Sequence, residues 1–459
     1  MIKKSEVCEL QGKRIAFVTA GYAGKRFIYE KAKSLGVSIT IIDSPTSWAQ
    51  ALVKEGVIDH FISVDFGQAR DDIVSEIIRK LQVDDIKLDG VCTFAELSLP
   101  VCAKLANTLG LPGADPEVVA LVRDKHRVRQ VVAAAGLNEV RSYAIKSVDD
   151  LEAASAFVGF PSVLKPVSGA DSLGVKKVDN MFQLRDALLQ VQEVVAGLVV
   201  NSGALSRSSS GESSAPDQHA GRYIALDLSL EEYLDGPEVD VDIVLYQNEC
   251  YFVSVVDNGP TVEPYFAETW NLCPSTLSAD RQSQLITEAL ATVKALGFHS
   301  GVFHVEERFT SRGPRIIEVN ARMGGGPIRL QHKQVYGVDL VVEQLFSCIG
   351  LPPLCFFSSQ PAEPKSANLC YVSATPNVGK SGVIESVAFL EQIKLRPDLC
   401  GLWEFVVPGE LLVGPEEGQP TWLCEIALMG NEGSESLLKT MLSLTEKLVA
   451  DVEANYYKK

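Results

Sequence analysis

Two runs of residues rich in β-branched and aromatic side chains lie close together in the segment 301–326, GVFHVEERFTSRGPRIIEVNARMGGG. The short stretch 311–314 between them contains serine, glycine and proline, which favour turns. We therefore predict a β-hairpin with strands at 301–309 and 315–321. Such a hairpin constrains the fold strongly, because both strands must lie next to each other in one sheet.

The predicted hairpin places polar side chains on a common face, since side chains two apart in a strand share a face. A register symmetric about Arg312 sets Glu306 opposite Glu318. The same register sets His304 opposite Asn320. Like charges directly opposite each other destabilise a sheet, so the two glutamates indicate a site for a cation. Mg²⁺ prefers hard oxygen ligands and is usually bound by one or two carboxylates.

A second interpretation leaves the same carboxylates on a solvated face, where Arg308, Arg315 or Arg322 neutralises them. The glycine run 324–326 favours a binding site, because glycines allow a ligand to approach the backbone closely. Both interpretations stay open on the evidence of the hairpin alone.

The composition argues against several classes of protein. The chain has 459 residues, 46% of them hydrophobic, which suits roughly two to four folded domains. A net charge of -17 argues against a general binder of nucleic acid or of anionic membranes. The ten cysteines include no C-x-x-C pair, which predicts thiols in a reducing compartment, without disulfides or structural zinc. No segment has the pattern of a signal peptide or a membrane helix, so we expect a cytoplasmic protein.

Strand-like and helical patterns alternate from Lys13 to about residue 115. The runs RIAFVTA, SITIID, HFISVDF and GVCTF are typical of buried strands. The pattern predicts an open parallel sheet with helices on its faces. Gly21 and Gly24 follow the first strand, but this G-x-x-G lacks the full dinucleotide fingerprint. A packing turn and a ligand contact both remain compatible with it.

A second unit begins near Asp115 with two helices, the first capped at its start and the second ended by a glycine. A strand ending at Lys165 follows, and then a loop, 168–174, rich in glycine and serine. Backbone N–H groups of such a loop can surround phosphate oxygens beside a lysine, although an ordinary hairpin loop has the same composition. The polar segment 201–222 cannot bury enough apolar surface to fold, so we expect a mobile surface loop.

Three further sets of residues allow two interpretations each. Glu238, Asp240 and Asp242 alternate with valines on one strand face, where solvation would explain at least two of the acids. The segment 257–275 offers acids for a substrate amino group and aromatic residues for a pocket, but a packed loop with exposed acids fits equally. Arg329 either binds a second carboxylate or pairs with a surface acid.

The order of these signals resembles the ATP-grasp superfamily. A lysine precedes a helix, a second lysine precedes a glycine-rich loop, an acidic linker follows, and a carboxylate hairpin ends in Asn-x-Arg. The resemblance extends from the N-terminal sheet through at least Gly350. The phrases EVNARMGGG and EEYLDGPEVDVD and the C-terminal part are most similar to the carnosine synthase and L-amino-acid ligase group. That group is similar to biotin carboxylase in its core and lobes.

The resemblance implies a role for each matching residue. The residues at nucleotide-binding positions are Lys125, Lys165, Ser168, Gly169, Ser172, Gly174, Glu231, Glu232, Tyr233, Leu234 and Glu238. The residues at magnesium positions are Glu306, Glu318 and Asn320. The residues expected to act in catalysis, by stabilising phosphoryl charge, are Lys165 and Arg322. Candidate substrate contacts are Glu263, Glu268, Trp270, Arg322, Gly324, Gly325 and Arg329. His304 has no role in the family pattern, and we expect it to be packed or hydrogen-bonded.

The resemblance also implies a multidomain α/β and α+β architecture with the ATP-grasp fold. We expect an N-terminal open parallel α/β domain at 1–115 and an ATP-grasp domain at 116–350. Within the latter, a lid at about 125–235 contains the flexible insertion 201–222. A small C-terminal α+β lobe is expected at 351–459, with little chemistry of its own and a closing helix.

The implied activity is that of an ATP-dependent carboxylate–amine ligase, which joins amino acids through an acyl phosphate and releases ADP and phosphate. Its cofactors would be ATP and Mg²⁺, with Mn²⁺ as a substitute. Its partners would be small amino-acid substrates and a second copy in a homodimer, not nucleic acid or a membrane. An ATP-dependent carboxylase of the biotin carboxylase type and a non-catalytic ATP-binding regulator are the alternatives. The first needs a biotin-bearing partner, since the chain contains no A-M-K-M segment.

Overall fold

The computed structural model describes residues 7–169, 172–196, 198–201, 204–207, 227–355, 360–366 and 368–458. The α-helices in these residues are α1 Arg26–Ser34, α2 Ala51–Lys54, α3 Arg70–Val83, α4 Leu99–Thr108, α5 Pro116–Val122, α6 Lys125–Ala134, α7 Leu151–Val158, α8 Met181–Ala196, α9 Ala279–Ala295, α10 Ile328–Val335, α11 Leu340–Cys348, α12 Leu390–Lys394 and α13 Ser434–Asn455. The strands are β1 Arg14–Val18, β2 Ser38–Asp43, β3 His60–Ser63, β4 Gly90–Cys92, β5 Ser142–Ile145, β6 Ser162–Pro166, β7 Lys176–Val178, β8 Leu198–Asn201, β9 Ala204–Arg207, β10 Leu228–Glu232, β11 Glu238–Tyr246, β12 Glu249–Asn258, β13 Trp270–Cys273, β14 Gly301–Thr310, β15 Gly313–Asn320, β16 Cys370–Ala374, β17 Gly382–Ile384, β18 Leu399–Glu404, β19 Leu411–Leu412, β20 Cys424–Gly430 and β21 Tyr457–Lys458.

The first four strands form a parallel sheet in the order β3-β2-β1-β4. Alternate residues of β1 point to opposite faces, as the strand period requires. Ile15 and Phe17 belong to an apolar cluster with α1. Ala16 and Val18 belong to another with α3 and α4. Helices therefore cover both faces, and the predicted open parallel α/β sheet is confirmed.

A smaller antiparallel sheet follows, with strand order β5-β10-β6-β7. Helices α7 and α8 share its apolar core. The glycine- and serine-rich loop joins β6 to β7, as predicted. Strands β8 and β9 pair as a hairpin, so Asn201 and 204–207 lie in strands, and the mobility expected for the segment stays a prediction. The other positions of the predicted insertion, 202–203 and 208–222, lie outside the described residues.

The largest sheet has eight antiparallel strands in the order β15-β14-β11-β12-β13-β16-β20-β18. Helix α9 packs with one apolar cluster of this sheet and α11 with another. The sheet continues past residue 350, because β13 pairs with β16 and β16 pairs with β20. The C-terminal strands are thereby fixed beside the core of the molecule, and α13, which was expected as the closing helix, packs against β16 and β20. The division into domains at residue 350 stays a prediction.

The composition predicts neither a membrane helix nor a disulfide, and the described residues bear on both. None of the helices there has the length and apolar character needed to cross a membrane. Cys92, Cys102, Cys250, Cys273, Cys348, Cys355, Cys370, Cys400 and Cys424 are free thiols.

Candidate active site

A cavity of about 760 Å³ lies where the smaller antiparallel sheet, the eight-stranded sheet and one end of the N-terminal sheet meet. The predicted residues that line it are Lys125, Lys165, Gly169, Ser172, Glu231, Glu232, Tyr233, Leu234, Glu238, Glu268, Trp270, Glu306, Glu318, Asn320, Arg322 and Gly325. Ser168 precedes Gly169 in the same loop, and a side chain at Gly174 would meet Pro166. A volume of this size suits a nucleotide together with a small second ligand.

The carboxylate hairpin is confirmed, and Glu306 lies opposite Glu318. The loop between the strands has only two residues, so a regular ladder would set Glu306 opposite Ile317. A bulge at Ile317 shifts the register by one residue and brings the two glutamates together. The predicted pairing of His304 with Asn320 is confirmed as well.

Arg129 holds this bulge, although the sequence analysis did not single it out. Its guanidinium donates to the main-chain carbonyls of Ile316 at 2.6 Å and Ile317 at 2.8 Å. It also donates to both carboxylate oxygens of Glu231, at 3.1 and 2.8 Å. The residue is only 4% exposed. Arg129 therefore connects α6 with the hairpin and with the end of β10, and its position on a helix of many charges gave no specific signal.

The paired glutamates of the hairpin form a site that a cation would stabilise. Burial and the charge of Glu318 raise the pKa of Glu306 to about 8. Asn320 Nδ2 donates to Glu306 Oε1 at 3.2 Å, and the Lys125 ammonium lies 2.9 Å from Glu318 Oε1. Across the described ranges, no group of three or more His, Cys, Asp or Glu side chains is arranged to hold a metal ion. The two carboxylates supply hard oxygen atoms that would suit Mg²⁺, and the amide oxygen of Asn320, which accepts from Arg322 Nη2 at 3.3 Å, is a third oxygen that could join them.

The arginines considered as partners of these carboxylates bind elsewhere. Arg308 donates to Glu238 Oε2 at 2.8 and 3.0 Å. Arg315 donates to the carbonyl of Pro314 at 2.7 Å. Arg322 pairs with Glu96, as described below. Lys125 is the cation beside Glu318, so the interpretation as an arginine-neutralised solvated face is wrong.

Lys165 and Glu231 form a buried ion pair of 2.6 Å. Burial alone would raise the pKa of Glu231, but Arg129 and Lys165 lower it to about 2. Burial lowers the pKa of Lys165, and the carboxylate opposes that effect. The carboxylate of Glu231 thus orients Lys165 towards the cavity, and the three residues that follow Glu231 line the same cavity.

The stability that Glu231 contributes should depend on pH. Its folded pKa of about 2 lies below the unfolded value of about 4.3, so the contribution is present above about 4.3 and is lost as the pH falls towards 2. Wild type should therefore be more stable than Glu231→Gln at about pH 6, and the difference should shrink at about pH 3. Urea unfolding of both proteins at the two pH values measures this. A difference independent of pH would contradict the ion pair.

Glu96 fixes Arg322, and sequence analysis missed it. Glu96 Oε2 lies 2.6 Å from Arg322 Nε, and Glu96 Oε1 accepts from Arg123 at 2.8 Å. Burial would raise the pKa of Glu96, but Arg322 and Arg123 hold it below its ordinary value. The acid follows β4 at the carboxyl end of the parallel sheet, which is where open α/β sheets bind ligands. That position was the signal that could have identified it.

A buried network lies beneath the hairpin. Asp240 and Asp242 are 5% and 0% exposed, so the solvated-face interpretation is wrong for both. His304 Nδ1 donates to Asp242 Oδ1 at 2.9 Å, and His332 Nε2 lies 3.2 Å from Asp242 Oδ2. Burial alone would lower the pKa of His304, but the two aspartates raise it to about 10. The expectation of a hydrogen-bonded His304 is confirmed, and β11 is buried because it lies between β12 and β14.

Three of the proposed substrate contacts lie away from the cavity lining. The Glu263 carboxylate binds Lys177 at 2.6 Å and accepts from the Tyr233 hydroxyl at 2.7 Å. Gly324 is packed against His304, since a Cβ atom there would lie 2.7 Å from the imidazole. The Arg329 guanidinium stacks on Phe27 at 4.1 Å and faces the buried Asp339, so it pairs within the fold. The structure does not bring these three residues to the cavity lining, and their role as substrate contacts stays a prediction.

The ends of the cavity contain residues that the sequence analysis did not assign. Gly21, after the first strand, lines the cavity, which favours the ligand-contact interpretation of that turn. The C-terminal strands contribute Phe405, Trp422 and Glu425. Side chains of the C-terminal lobe therefore reach the cavity, although the sequence predicted little chemistry there. Strand β20 reaches the cavity because it pairs with β16 in the eight-stranded sheet.

Comparisons with known proteins agree with this architecture. The family described as the ATP-grasp N-terminal domain matches residues 29–113, and the family described as the ATP-grasp domain matches residues 214–329. Carnosine synthase 1 from Homo sapiens is 29% identical over 470 residues, which cover 98% of this chain and 52% of that protein. Alanine–anticapsin ligase from Bacillus subtilis is 26% identical over 300 residues, which cover 64% of this chain and 59% of that protein. The chain thus spans about half the length of the carnosine synthase that it matches.

Among solved structures, an L-amino acid ligase from Bacillus licheniformis shares the fold. Its TM-score is 0.74 at 21% sequence identity, and the superposition covers 95% of this chain and 97% of that one. Two segments of the chain thus match ATP-grasp domain families, and the chain is similar to carnosine synthase in sequence and to an L-amino acid ligase in fold.

Proposed function

We propose that the chain is an ATP-dependent carboxylate–amine ligase that joins two amino acids and releases ADP and phosphate. The observation that carries this proposal is that one cavity contains two lysines, the paired glutamates, Arg322 and an end formed by acids and aromatic residues. The lysines, the glutamates and Arg322 suit a nucleotide and a substrate carboxylate that the nucleotide activates. The end formed by acids and aromatic residues suits the amine or the side chain of a second substrate.

The phosphate end is assigned to the residues around the hairpin. Lys125 and Lys165 supply positive charge, and Gly169 and Ser172 of the glycine- and serine-rich loop line the cavity, where their backbone N–H groups would face the phosphates. Glu306, Glu318 and Asn320 would hold Mg²⁺, or Mn²⁺ in its place, which would neutralise charge on the phosphates. Tyr233 and Leu234 follow the buried Glu231 and line the cavity, where they would contact the adenine. Glu238 would contact the ribose.

The proposed reaction has two steps. A substrate carboxylate oxygen attacks the γ-phosphorus of ATP, which gives an acyl phosphate and ADP. The amine of the second substrate attacks the acyl carbon, the C–O bond to phosphate breaks, and the amine proton leaves to solvent. Arg322, fixed by Glu96, stabilises the negative charge of the acyl phosphate. Exclusion of water matters because the acyl phosphate hydrolyses readily, and the glycine-rich loop over the cavity would provide it.

The names of the similar proteins support an amino-acid substrate. Alanine–anticapsin ligase and L-amino acid ligase are named as ligases of amino acids or their derivatives. We extend this substrate class to the present chain, whose partners would be small molecules. We also propose that the protein is a homodimer in the cytoplasm. The net charge of -17 agrees with a protein that does not bind nucleic acid.

Incubation with ATP, Mg²⁺ and pools of amino acids tests the proposal. Phosphate release should require two amino acids, and a product should appear that is lighter than the summed substrates by one water. Release that bicarbonate alone stimulates would support a carboxylase instead. Binding of ATP without turnover in every pool would support a regulatory protein.

A further inference from the structure

The acid Glu425 lies at the end of the cavity that the C-terminal strands form. It is 6% exposed, and among the described residues its Oε1 atom has no hydrogen-bond partner. A buried carboxylate oxygen without a hydrogen-bond partner destabilises a fold, and a bound ligand that donates to it would remove that cost. Burial and the charge of Glu268 raise the pKa of Glu425 to about 8. A bound cation would restore the charged carboxylate.

Negative charge extends from the hairpin to this end of the cavity. Glu268 lines the same cavity as Glu306 and Glu425. The main-chain carbonyl of Glu268 accepts from Trp422 Nε1 at 3.2 Å and from Asn377 Nδ2 at 3.2 Å. The loop that carries Glu268 is thereby fixed to the C-terminal strands. This end favours a positively charged group over an anion.

Aromatic rings surround the same end. Trp422 and Phe405 lie with their ring centroids 6.4 Å apart, and both line the cavity, as does Trp270. Aromatic faces attract cations, and the attraction is larger where water is excluded. A carboxylate together with aromatic faces is a combination that recognises ammonium, guanidinium or imidazolium groups.

Space for such a group is kept in front of Glu425. Gly326 faces it, and a Cβ atom at Gly326 would lie 3.8 Å from Glu425 Oε2. The backbone of Gly326 has φ +48, a conformation that favours glycine. A longer side chain at this position would occupy the space before the carboxylate.

We propose that Glu425, with Trp422 and Phe405, forms a subsite that selects an amino-acid substrate with a positively charged side chain. The inference rests on the proposed ligase function, because it assigns the substrate of that reaction. The selectivity of the subsite can be tested without turnover, because selectivity is a property of ligand binding.

Calorimetric titration in the presence of MgADP tests the subsite. The two ligand pairs are L-arginine with L-citrulline and L-lysine with L-norleucine, which differ within each pair in side-chain charge. Wild type should bind the charged member of at least one pair about tenfold more tightly or better, as expected for hydrogen bonds to a charged group. Glu425→Gln should bring the two affinities within about twofold of each other by weakening the charged ligand alone.

The control is Glu446→Gln, which removes an exposed acid on α13 and should keep the preference. If Glu425→Gln does not fold, Trp422→Leu should weaken binding of the charged ligand several-fold through loss of the aromatic face. A wild type without charge preference in both pairs would overturn the subsite, and so would a folded Glu425→Gln that keeps the preference. Retained selectivity without ligase turnover would refute the proposed function alone.

Discussion

Replacement of Glu318 by alanine is expected to lower amino-acid-dependent phosphate release by at least about 10²-fold. Glu318 is one of the two carboxylates that we assign to the metal. Glu306 alone cannot replace the ligand that the substitution removes. The fold should persist, because Glu318 lies opposite a like charge and its ammonium partner, Lys125, can turn to solvent or phosphate. The rate at saturating ATP and the melting temperature are the two measurements.

The matched control is Glu249→Ala, which removes an exposed acid at the start of β12 in the same sheet. It should leave both the rate and the melting temperature close to wild type. A near-normal rate for Glu318→Ala, with the protein folded, would show that the metal ligands lie elsewhere. Loss of the fold would show that Glu318 is a structural residue.

Replacement of Arg129 by methionine is expected to have the largest combined effect on stability and turnover. The change removes four hydrogen bonds, two to Glu231 and two to the carbonyls at the hairpin bulge. Loss of one partner of a buried ion pair costs about 3–5 kcal/mol. Lys165 still pairs with Glu231, which moderates the cost. Without the bulge Glu306 would face Ile317, and the two glutamates would separate. The Mg²⁺ concentration needed for half-maximal rate should therefore rise.

Urea unfolding and the rate as a function of Mg²⁺ concentration measure these two consequences separately. Arg127→Met is the matched control, because Arg127 is exposed on the same helix, α6. It should leave both properties unchanged. A stable Arg129→Met protein with the wild-type Mg²⁺ dependence would contradict the role of Arg129 in setting the register.

The hairpin shows how far local pattern predicts a site. The alternation of side chains correctly places His304 with Glu306 on one face of their strand and Glu318 with Asn320 on one face of the other, because that property depends only on the strand period. The bulge that completes the pairing depends on Arg129, which is 187 residues away from Ile316 in sequence. No local rule relates these two positions. Their relation needs the packing of α6 against the hairpin.

Burial in the sheet interior was equally hidden from the sequence. Asp240 and Asp242 alternate with valines, as in a strand with one solvated face. Their strand lies in the interior of the eight-stranded sheet, and the polar side is covered by α10, which supplies His332. Asp242 is tolerated there because His304 and His332 are its partners, and Asp240 accepts a hydrogen bond from Asn258. Burial of this kind is set by tertiary neighbours and not by the strand's own pattern.

The C-terminal end of the cavity gave the weakest signal. Glu425 stands in β20, CEIALMG, which looks like an ordinary strand with one polar residue. Its contact with the cavity follows from the order β13-β16-β20 in the sheet. Strand order between distant segments is not encoded in either segment alone. The residues that we predict to bind the nucleotide, in contrast, each lie within a short motif.

Transfer of oxygen from substrate to phosphate tests the central claim most directly. An amino-acid substrate labelled with ¹⁸O in its carboxylate should be incubated with ATP, Mg²⁺ and the second amino acid, and the released phosphate analysed by mass. An acyl phosphate requires that each phosphate released with an amide carries one ¹⁸O atom from the carboxylate. Amide formation with unlabelled phosphate would contradict activation of the carboxylate by ATP in this cavity.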